Sequence, residues 1–202
     1  MIRAVFFDLG KVLLDFDWEA VCKNAGTWCD ADPVRMVRWI ATSNHTQDYE
    51  SGRLTSHQFF EHAREALGFR GRFEDFAELW SDIFTEIPET IALVRQLKGR
   101  VPLALLSNTN EMHIDWVMGR WDFMRLFDDL VLSFREGCAK PEPEIYRRAL
   151  AKMAVKPAEA FFVDDRPENV AGALAVGMDA VPFTDAGALR AALVARGVLP
   201  RV

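Results

Sequence analysis

The chain has 202 residues, of which 50% are hydrophobic and 27% are charged, and its formal net charge is -6. This length and composition are typical of a soluble globular protein with one main core. The acidic balance, without a basic stripe, argues against nucleic acid as a partner, and the apolar runs are too short to span a membrane. The cysteines, Cys22, Cys29 and Cys138, lack metal-type spacing, so we expect reduced thiols and a cytoplasmic location.

The first apolar run predicts a buried strand that ends at a carboxylate. The residues from Ala4 to Phe7 are apolar, and Asp8 follows them directly. Buried runs of this kind belong to parallel sheets, whose ligands lie at the carboxyl ends of the strands. We therefore expect Asp8 at the mouth of a site, with Gly10 allowing a sharp turn after it. Taken alone, Asp8 is better explained as a turn-capping residue.

The next segment, residues 17–85, has a helical pattern without a convincing strand. Its helix boundaries are marked by residues that commonly cap helices: Asp32 before Pro33, Thr55 with Gln58, and Gly68. We interpret this segment as a small helical lobe inserted after the first strand.

From Pro88 onwards, apolar strands alternate with helices. The predicted strands are Val101 to Leu106, Leu130 to Leu132, Ala160 to Val163, and Ala180 to Phe183. This alternation predicts an α/β fold, a Rossmann-like doubly wound parallel sheet, with residues 1–16 and 86–202 as its core.

Polar residues follow three of these predicted strands. They are Asp8, the pair Ser107-Asn108 and the pair Asp164-Asp165, and Lys140 precedes a predicted helix. Three carboxylates offer hard oxygen ligands that suit Mg²⁺, and they repel one another unless a cation compensates. Ser107, Asn108 and Lys140 could hold an anion, so the set suits phosphoryl transfer through an aspartyl-phosphate. Each piece alone has an ordinary explanation, as a helix cap or a solvated lysine.

The same residues resemble the motifs of the haloacid dehalogenase-like (HAD) hydrolases, in the family's order and over nearly the whole chain. The matching stretches are Phe7-Asp8-Leu9-Gly10-Lys11-Val12-Leu13, Leu106-Ser107-Asn108-Thr109, Lys140-Pro141, and Phe162-Val163-Asp164-Asp165-Arg166-Pro167-Glu168-Asn169. The inserted segment is similar to the family's helical cap of the four-helix-bundle type. Within the family, Tyr49-Glu50-x-Gly52 and Asp15-Phe16-Asp17 are similar to a bacterial sugar-phosphate phosphatase subgroup that includes α-D-glucose-1-phosphate phosphatase. The phosphatase-type domain of soluble epoxide hydrolases is also similar.

The resemblance implies a Mg²⁺-dependent phosphatase of a small phosphorylated metabolite, with a role for each matching residue. Asp8 would be the nucleophile and a metal ligand, joined by the backbone carbonyl of Gly10 and by Asp164 or Asp165. Ser107 and Lys140 would hold the phosphate. Asn108 would support that loop or touch substrate, and Asn169 would orient the metal-binding loop.

One position departs from the family pattern. Gly10 stands where most phosphatases of this family carry a second Asp as general acid and base, a function worth about 10²–10⁴-fold in rate. Two alternatives therefore stay open. One is a haloacid dehalogenase, which needs no metal and is disfavoured by Asp164-Asp165. The other is a non-catalytic member that binds a phosphorylated ligand or a protein.

Substrate choice would depend on the cap. His45 is the cap residue that we predict to contact substrate. The wider set of cap candidates for the cleft is Trp28, Trp39, His45, Tyr49, Glu50, Arg53 and Trp80. Taken singly, most of these aromatic residues are better explained as core.

Overall fold

The computed structural model describes residues 1–18, 22 and 25–201. The remaining residues are 19–21, 23–24 and 202, so part of the beginning of the predicted helical segment lies outside the described residues. The strands are β1 (Ala4–Phe7), β2 (Leu14–Phe16), β3 (Phe84–Glu86), β4 (Leu103–Ser107), β5 (Asp129–Leu132), β6 (Ala160–Asp164) and β7 (Asp179–Pro182).

Five of these strands form a parallel sheet in the order β5-β4-β1-β6-β7. Every residue of β1, β4 and β6 is buried, because helices cover both faces of the sheet. The predicted α/β fold is confirmed. Strand β4 extends one residue further than predicted, since Ser107 still pairs with Leu132.

The helices are α1 (Pro33–Thr42), α2 (Asn44–Glu50), α3 (Ser56–Leu67), α4 (Phe73–Ser81), α5 (Pro88–Leu97), α6 (Glu111–Arg120), α7 (Ser133–Glu136), α8 (Pro143–Lys152), α9 (Pro167–Ala175) and α10 (Ala186–Ala195). Among the described residues, no helix is long and apolar enough to cross a membrane.

Strand β1 divides its side chains between two apolar layers. Val5 and Phe7 pack with residues of α5, α6 and α10 on one face. Ala4 and Phe6 pack with residues of α8 and α9 on the other. Because successive side chains of a strand point to opposite faces, a strand that is apolar throughout requires helices on both sides.

The helices α1 to α4 lie between β2 and β3 and share a third apolar cluster. Their ends follow the predicted capping residues. Asp32 Oδ1 accepts a hydrogen bond from Arg35 N at 2.8 Å, and Thr55 forms a capping box with Gln58. Gly68 ends α3 with a positive φ of 66°. We refer to this helical insert as the cap.

The expectation that residues 17–85 contain no strand is wrong at the end of that segment, where β3 begins at Phe84, and β2 lies immediately before the segment. Strand β2 pairs antiparallel with β3, and Phe16 faces Phe84 in this register. Each strand has only three residues, which is too short for a period-two pattern to stand out from a loop. The division at residues 16/17 and 85/86 stays a prediction.

Candidate active site

A buried ion-pair network joins the carboxyl ends of three neighbouring strands. Asp8 follows β1 and is 7% exposed, and its backbone N–H donates to Val163 O at 3.0 Å. Lys140 Nζ lies 2.7 Å from Asp8 Oδ1 and 2.6 Å from Asp164 Oδ2. The same ammonium donates to Leu106 O at 2.8 Å. The three contacts fix Lys140 between the two carboxylates.

The loop that carries Lys140 is held by Asn108 after β4. Asn108 Nδ2 donates to Lys140 O, and Lys140 N donates to Asn108 Oδ1, both at 2.8 Å. Helix α9 approaches the same loop closely, since a Cβ on Gly172 would lie 2.8 Å from Pro141 O. These contacts set the position of the ammonium through the backbone of its own loop.

Asp164 is oriented by donors from the loop and helix that follow it. Arg166 N donates to Asp164 Oδ1 at 2.9 Å, and Asn169 Nδ2 lies within 3.0 Å of both carboxylate oxygens. Tyr146 OH in turn donates to Asn169 O at 2.7 Å. These hydrogen bonds therefore fix the orientation of the Asp164 carboxylate in the site.

The acidic groups at this edge suit a divalent cation. Asp8, Asp164 and Asp165 each offer an oxygen, and these oxygens all lie within 4.8 Å of one another. Lys140 compensates only one of the three negative charges. The buried Oδ1 of Asn169 has no hydrogen-bond partner within the described part of the chain, so a further polar group would be accommodated there. A hard-oxygen set of this kind fits Mg²⁺.

The carboxyl groups have perturbed pKa values. Burial raises the pKa of Asp8 to about 6, which Lys140 opposes and Asp164 reinforces. Burial and the charge of Asp164 also raise the pKa of Asp165. Both pKa values are raised because the negative charge is buried and not fully compensated. A bound cation would favour the ionised carboxylates.

These groups open into a polar cleft of about 200 Å³. The residues that line it are Asp8, Gly10, Lys11, Phe16, Glu50, Asn108, Lys140, Asp165, Arg166 and Asn169. Phe16 covers Gly10 closely, because a Cβ at position 10 would lie 3.0 Å from a ring carbon of Phe16. A larger side chain at position 10 would require Phe16 to move.

The structure brings most of the predicted site residues to this cleft, with three exceptions among the residues that it describes. Asp164 is fully buried and reaches the site through its ion pair with Lys140. Ser107 is 2% exposed at the end of β4 and is not among the cleft-lining residues that the structure describes. His45 is also outside that set, and its ring stacks on His62 with 3.9 Å between ring centroids. Glu50 lines the cleft, and His45 lies five residues before it on the same helix. This spacing places the two side chains roughly 140° apart around the helix axis, so the prediction that His45 contacts substrate is not supported.

Among the other cap candidates, only Glu50 lines the cleft within the described residues. Tyr49 and Trp80 are buried in the cap core, and Arg53 pairs with Asp48 at 2.7 Å. Trp28 is 41% exposed and stacks on Phe69, and Trp39 packs against Phe59.

Sequence reasoning missed Lys11, Phe16 and Arg166 as lining residues. Lys11 and Arg166 lie inside the motif stretches, directly after Gly10 and Asp165, but the resemblance gave neither of them a role. Phe16 lines the cleft because β2 brings its ring back over Gly10, in the loop between β1 and β2. No short sequence pattern indicates this fold of the chain.

The cap is attached to the core by polar contacts beside the cleft. Ser133 Oγ donates to Glu50 O at 2.5 Å and accepts from Thr109 N at 2.9 Å. A Cβ on Gly52 would lie 2.1 Å from Phe134 O, so the cap backbone presses against the core there. The carboxyl end of α2 is therefore fixed to the core, and Glu50 is held at the cleft.

A second polar contact links the cap to α6. Tyr49 OH accepts from Met112 N at 3.1 Å and hydrogen-bonds Ser56 Oγ at 2.8 Å. Ser56 Oγ donates to Glu111 Oε2 at 2.5 Å. The three hydroxyl and carboxylate groups satisfy one another, so opening the cap would leave buried polar atoms unpaired.

Comparisons with known proteins agree with this architecture. The sequence profile of the haloacid dehalogenase-like hydrolases matches residues 2–177. Similar proteins include sesquiterpene phosphatase astK of Aspergillus oryzae, 28% identical over 91% of this chain and 90% of its own. D-ribitol-5-phosphate phosphatase of Bacteroides thetaiotaomicron is 28% identical over 84% of this chain and 86% of its own.

Among solved structures, the HAD family enzyme bt-2542 of Bacteroides thetaiotaomicron, in complex with magnesium and inorganic phosphate, has a TM-score of 0.79. It is 24% identical and covers 91% of this chain and 95% of its own. At this identity the likeness establishes a shared fold.

Proposed function

The chain belongs to the haloacid dehalogenase-like hydrolases, and from that membership we propose that it is a Mg²⁺-dependent phosphatase acting on a small phosphorylated metabolite. The observation that carries the proposal is the group of Asp8, Asp164 and Asp165, with Lys140 Nζ between the first two. Three carboxylates beside a fixed ammonium suit a site that receives both a cation and a phosphoryl group.

In the proposed reaction, a carboxylate oxygen of Asp8 attacks phosphorus and the ester bond to the leaving oxygen breaks. This forms an aspartyl-phosphate, which water then hydrolyses to free phosphate and the original carboxylate. Lys140 Nζ contacts Oδ1 of Asp8, and it would neutralise charge on the transferring group. Asn108 acts through the Lys140 loop, which it holds by two hydrogen bonds.

The residues that would hold Mg²⁺ are Asp8, the backbone carbonyl of Gly10, and Asp164 or Asp165. When bound, the ion would neutralise charge on the carboxylates and on the phosphoryl oxygens. Asn169 would orient the carboxylate of Asp164 through the hydrogen bonds described above.

The lining of the cleft favours a polyhydroxylated substrate such as a sugar or polyol phosphate. Apart from Gly10 and Phe16, the lining residues described carry charged or amide side chains. Such groups pair with hydroxyls, whereas a hydrocarbon chain would leave them desolvated without partners. D-ribitol-5-phosphate phosphatase, by its name, acts on a substrate of this kind.

The test is phosphate release from p-nitrophenyl phosphate and from a panel of sugar and polyol phosphates, with Mg²⁺ and with a chelator. Asp8→Asn is assayed beside wild type, and Asp122→Asn provides the same chemical change at an exposed position. We expect Mg²⁺-dependent turnover in wild type and in Asp122→Asn, and none in Asp8→Asn.

Undiminished turnover in Asp8→Asn would contradict the aspartyl-phosphate mechanism. A folded wild type that binds phosphate esters without turning them over would instead support the non-catalytic alternative. Chloride release from a haloacid in chelator would support the dehalogenase alternative.

A further inference from the structure

The proposed reaction needs a proton donor and acceptor that position 10 does not supply. An alkyl phosphate releases an alkoxide unless the leaving oxygen is protonated, and the attacking water must lose a proton in the second step. Gly10 offers only its backbone. The inference that follows rests on the proposed phosphatase function.

The described residues of the cleft contain few groups that could transfer this proton. The ionisable ones are Asp8, Lys11, Glu50, Lys140, Asp165 and Arg166. Asp8 is the nucleophile, and Lys140 is fixed in three contacts. Asp165 belongs to the carboxylate group suited to the cation. The guanidinium of Arg166 pairs with Glu168.

Lys11 is also occupied. Its ammonium pairs with Asp15, donates to Phe16 O at 3.1 Å, and lies 4.5 Å from the centre of the Phe16 ring. These contacts hold the ammonium on β2. Glu50 is the ionisable group of the described lining that stands outside the ion-pair network and the cation group.

The position of Glu50 fits a proton carrier for the leaving group. In an in-line displacement the leaving oxygen departs on the side of phosphorus opposite the nucleophile. A donor for that oxygen must therefore stand across the phosphoryl group from Asp8. Asp8 lies at the carboxyl end of β1, and Glu50 enters the same cleft from the cap. Ser133 and the close approach of Gly52 to Phe134 fix its backbone.

The surroundings of Glu50 keep both of its protonation states accessible. Burial raises the pKa of its carboxyl to about 7, and the charge of Arg166 opposes the shift. Arg166 comes from the loop after β6, and the other charged residues of the described lining are Asp8, Lys11, Lys140 and Asp165. A group with a pKa near the working pH serves as both acid and base.

We propose that Glu50 is the general acid and base of this enzyme, taking over from the cap the function that Gly10 cannot perform. In the first step Asp8 bonds to phosphorus, the bond to the leaving oxygen breaks, and the Glu50 carboxyl gives its proton to that oxygen. In the second step water bonds to phosphorus, gives a proton to the Glu50 carboxylate, and the bond between phosphorus and Asp8 breaks. Phosphate leaves, and both side chains return to their starting states.

The test uses Glu50→Gln, which keeps the shape of the side chain and removes its ability to transfer a proton. For an alkyl substrate such as glycerol phosphate, we expect kcat to fall about 10²–10⁴-fold. For p-nitrophenyl phosphate, whose leaving group needs no proton, we expect a rapid burst of one nitrophenolate per active site. A slow phase follows because the phosphoenzyme accumulates, and acid quenching traps it.

Matched controls distinguish the loss of proton transfer from a structural effect of the substitution. Glu65→Gln makes the same change on the exposed face of α3 and keeps wild-type rates. In wild type, kcat for glycerol phosphate falls above about pH 7 if leaving-group protonation limits it. Glu50→Gln removes that limb of the profile, and its thermal unfolding midpoint stays close to that of wild type.

Other outcomes would overturn the proposal in identifiable ways. Equal losses on both substrates, with a raised KM and no burst, would make Glu50 a substrate-binding residue. Wild-type rates in Glu50→Gln, beside an inert Asp8→Asn, would remove Glu50 from the mechanism and leave the phosphatase function standing. An inert wild type would overturn both.

Discussion

Asn108 and Lys140 exchange two hydrogen bonds of 2.8 Å between one side chain and one backbone unit. The amide of Asn108 thus substitutes for a strand partner and joins the loop after β4 to the loop before α8. Asn108 fixes the Lys140 backbone in this way, and Asp8, Asp164 and Leu106 O hold the ammonium at the other end of the side chain.

Replacing Asn108 by Ala should leave the N–H and C=O of Lys140 without their partners. We expect a loss of about 1–3 kcal/mol in the free energy of unfolding, together with a larger fall in kcat than in substrate affinity. Urea unfolding and steady-state kinetics measure the two effects. An unchanged kcat would show that the Lys140 loop keeps its position without Asn108.

Replacing Lys140 by Met should unbalance the buried carboxylates. Removing one partner of a buried ion pair costs about 3–5 kcal/mol because the remaining charge loses its compensation. We expect that loss in chelator and a partial recovery with Mg²⁺, as a cation replaces the ammonium. Lys98→Met is the control, since Lys98 pairs with Asp128 on the surface, where such pairs contribute about 0–1 kcal/mol. Similar losses in both variants would contradict the assigned role.

Two glycines allow a test of how the cap is fixed to the core. Gly52 and Gly99 have positive φ values of 71° and 82°, but only Gly52 lies against another chain segment, at Phe134. Gly99→Ala should cost about 1–2 kcal/mol from backbone strain alone. Gly52→Ala adds a clash and should destabilise more and lower turnover, since Glu50 moves with the cap. Equal stability and turnover for the two variants would disprove this account.

His113 should make the protein less stable in acid. It is buried between Asn110 Nδ2 at 3.1 Å and Trp80 O at 3.2 Å, and burial lowers its pKa from 6.5 to about 3. Between about pH 6.5 and pH 3, His113 therefore binds a proton in the unfolded chain but not in the native state. The free energy of unfolding should decrease with falling pH in that range, by up to about 1.4 kcal/mol per pH unit from this group.

The measurement is urea unfolding from pH 7 to pH 5 for wild type and for His113→Gln. The variant should show a shallower dependence, whereas His57→Gln, at an exposed position, should follow wild type. Parallel curves for wild type and His113→Gln would exclude His113 as the source.

The residues at the carboxyl ends of the strands were predictable because their proximity depends on one rule of topology. Asp8 and Asp164 come from β1 and β6, which are neighbours in a parallel sheet, so their carboxyl ends meet. Lys140 and Asn108 were found for the same reason, as polar residues beside strand ends and helix starts. The HAD resemblance added roles to positions that the strand pattern already placed together.

The cap side of the cleft was harder to predict. Glu50 and His45 lie on the same short helix, and only the docking of α2 on Ser133 decides which of them faces the cleft. That docking depends on contacts between residues about 80 positions apart, which leave no local pattern. Strands β2 and β3 escaped prediction because a three-residue strand carries too few positions to show alternation.

The pairing of β2 with β3 has a consequence for how such enzymes diversify. The chain leaves the sheet for the cap along one strand and returns along its antiparallel neighbour, so both ends of the insert lie side by side. The sheet and its carboxylates therefore impose no length or shape on what is inserted between those two points. One lobe can be exchanged for another at a single junction, and in this chain such an exchange would replace Glu50 together with the rest of the cap.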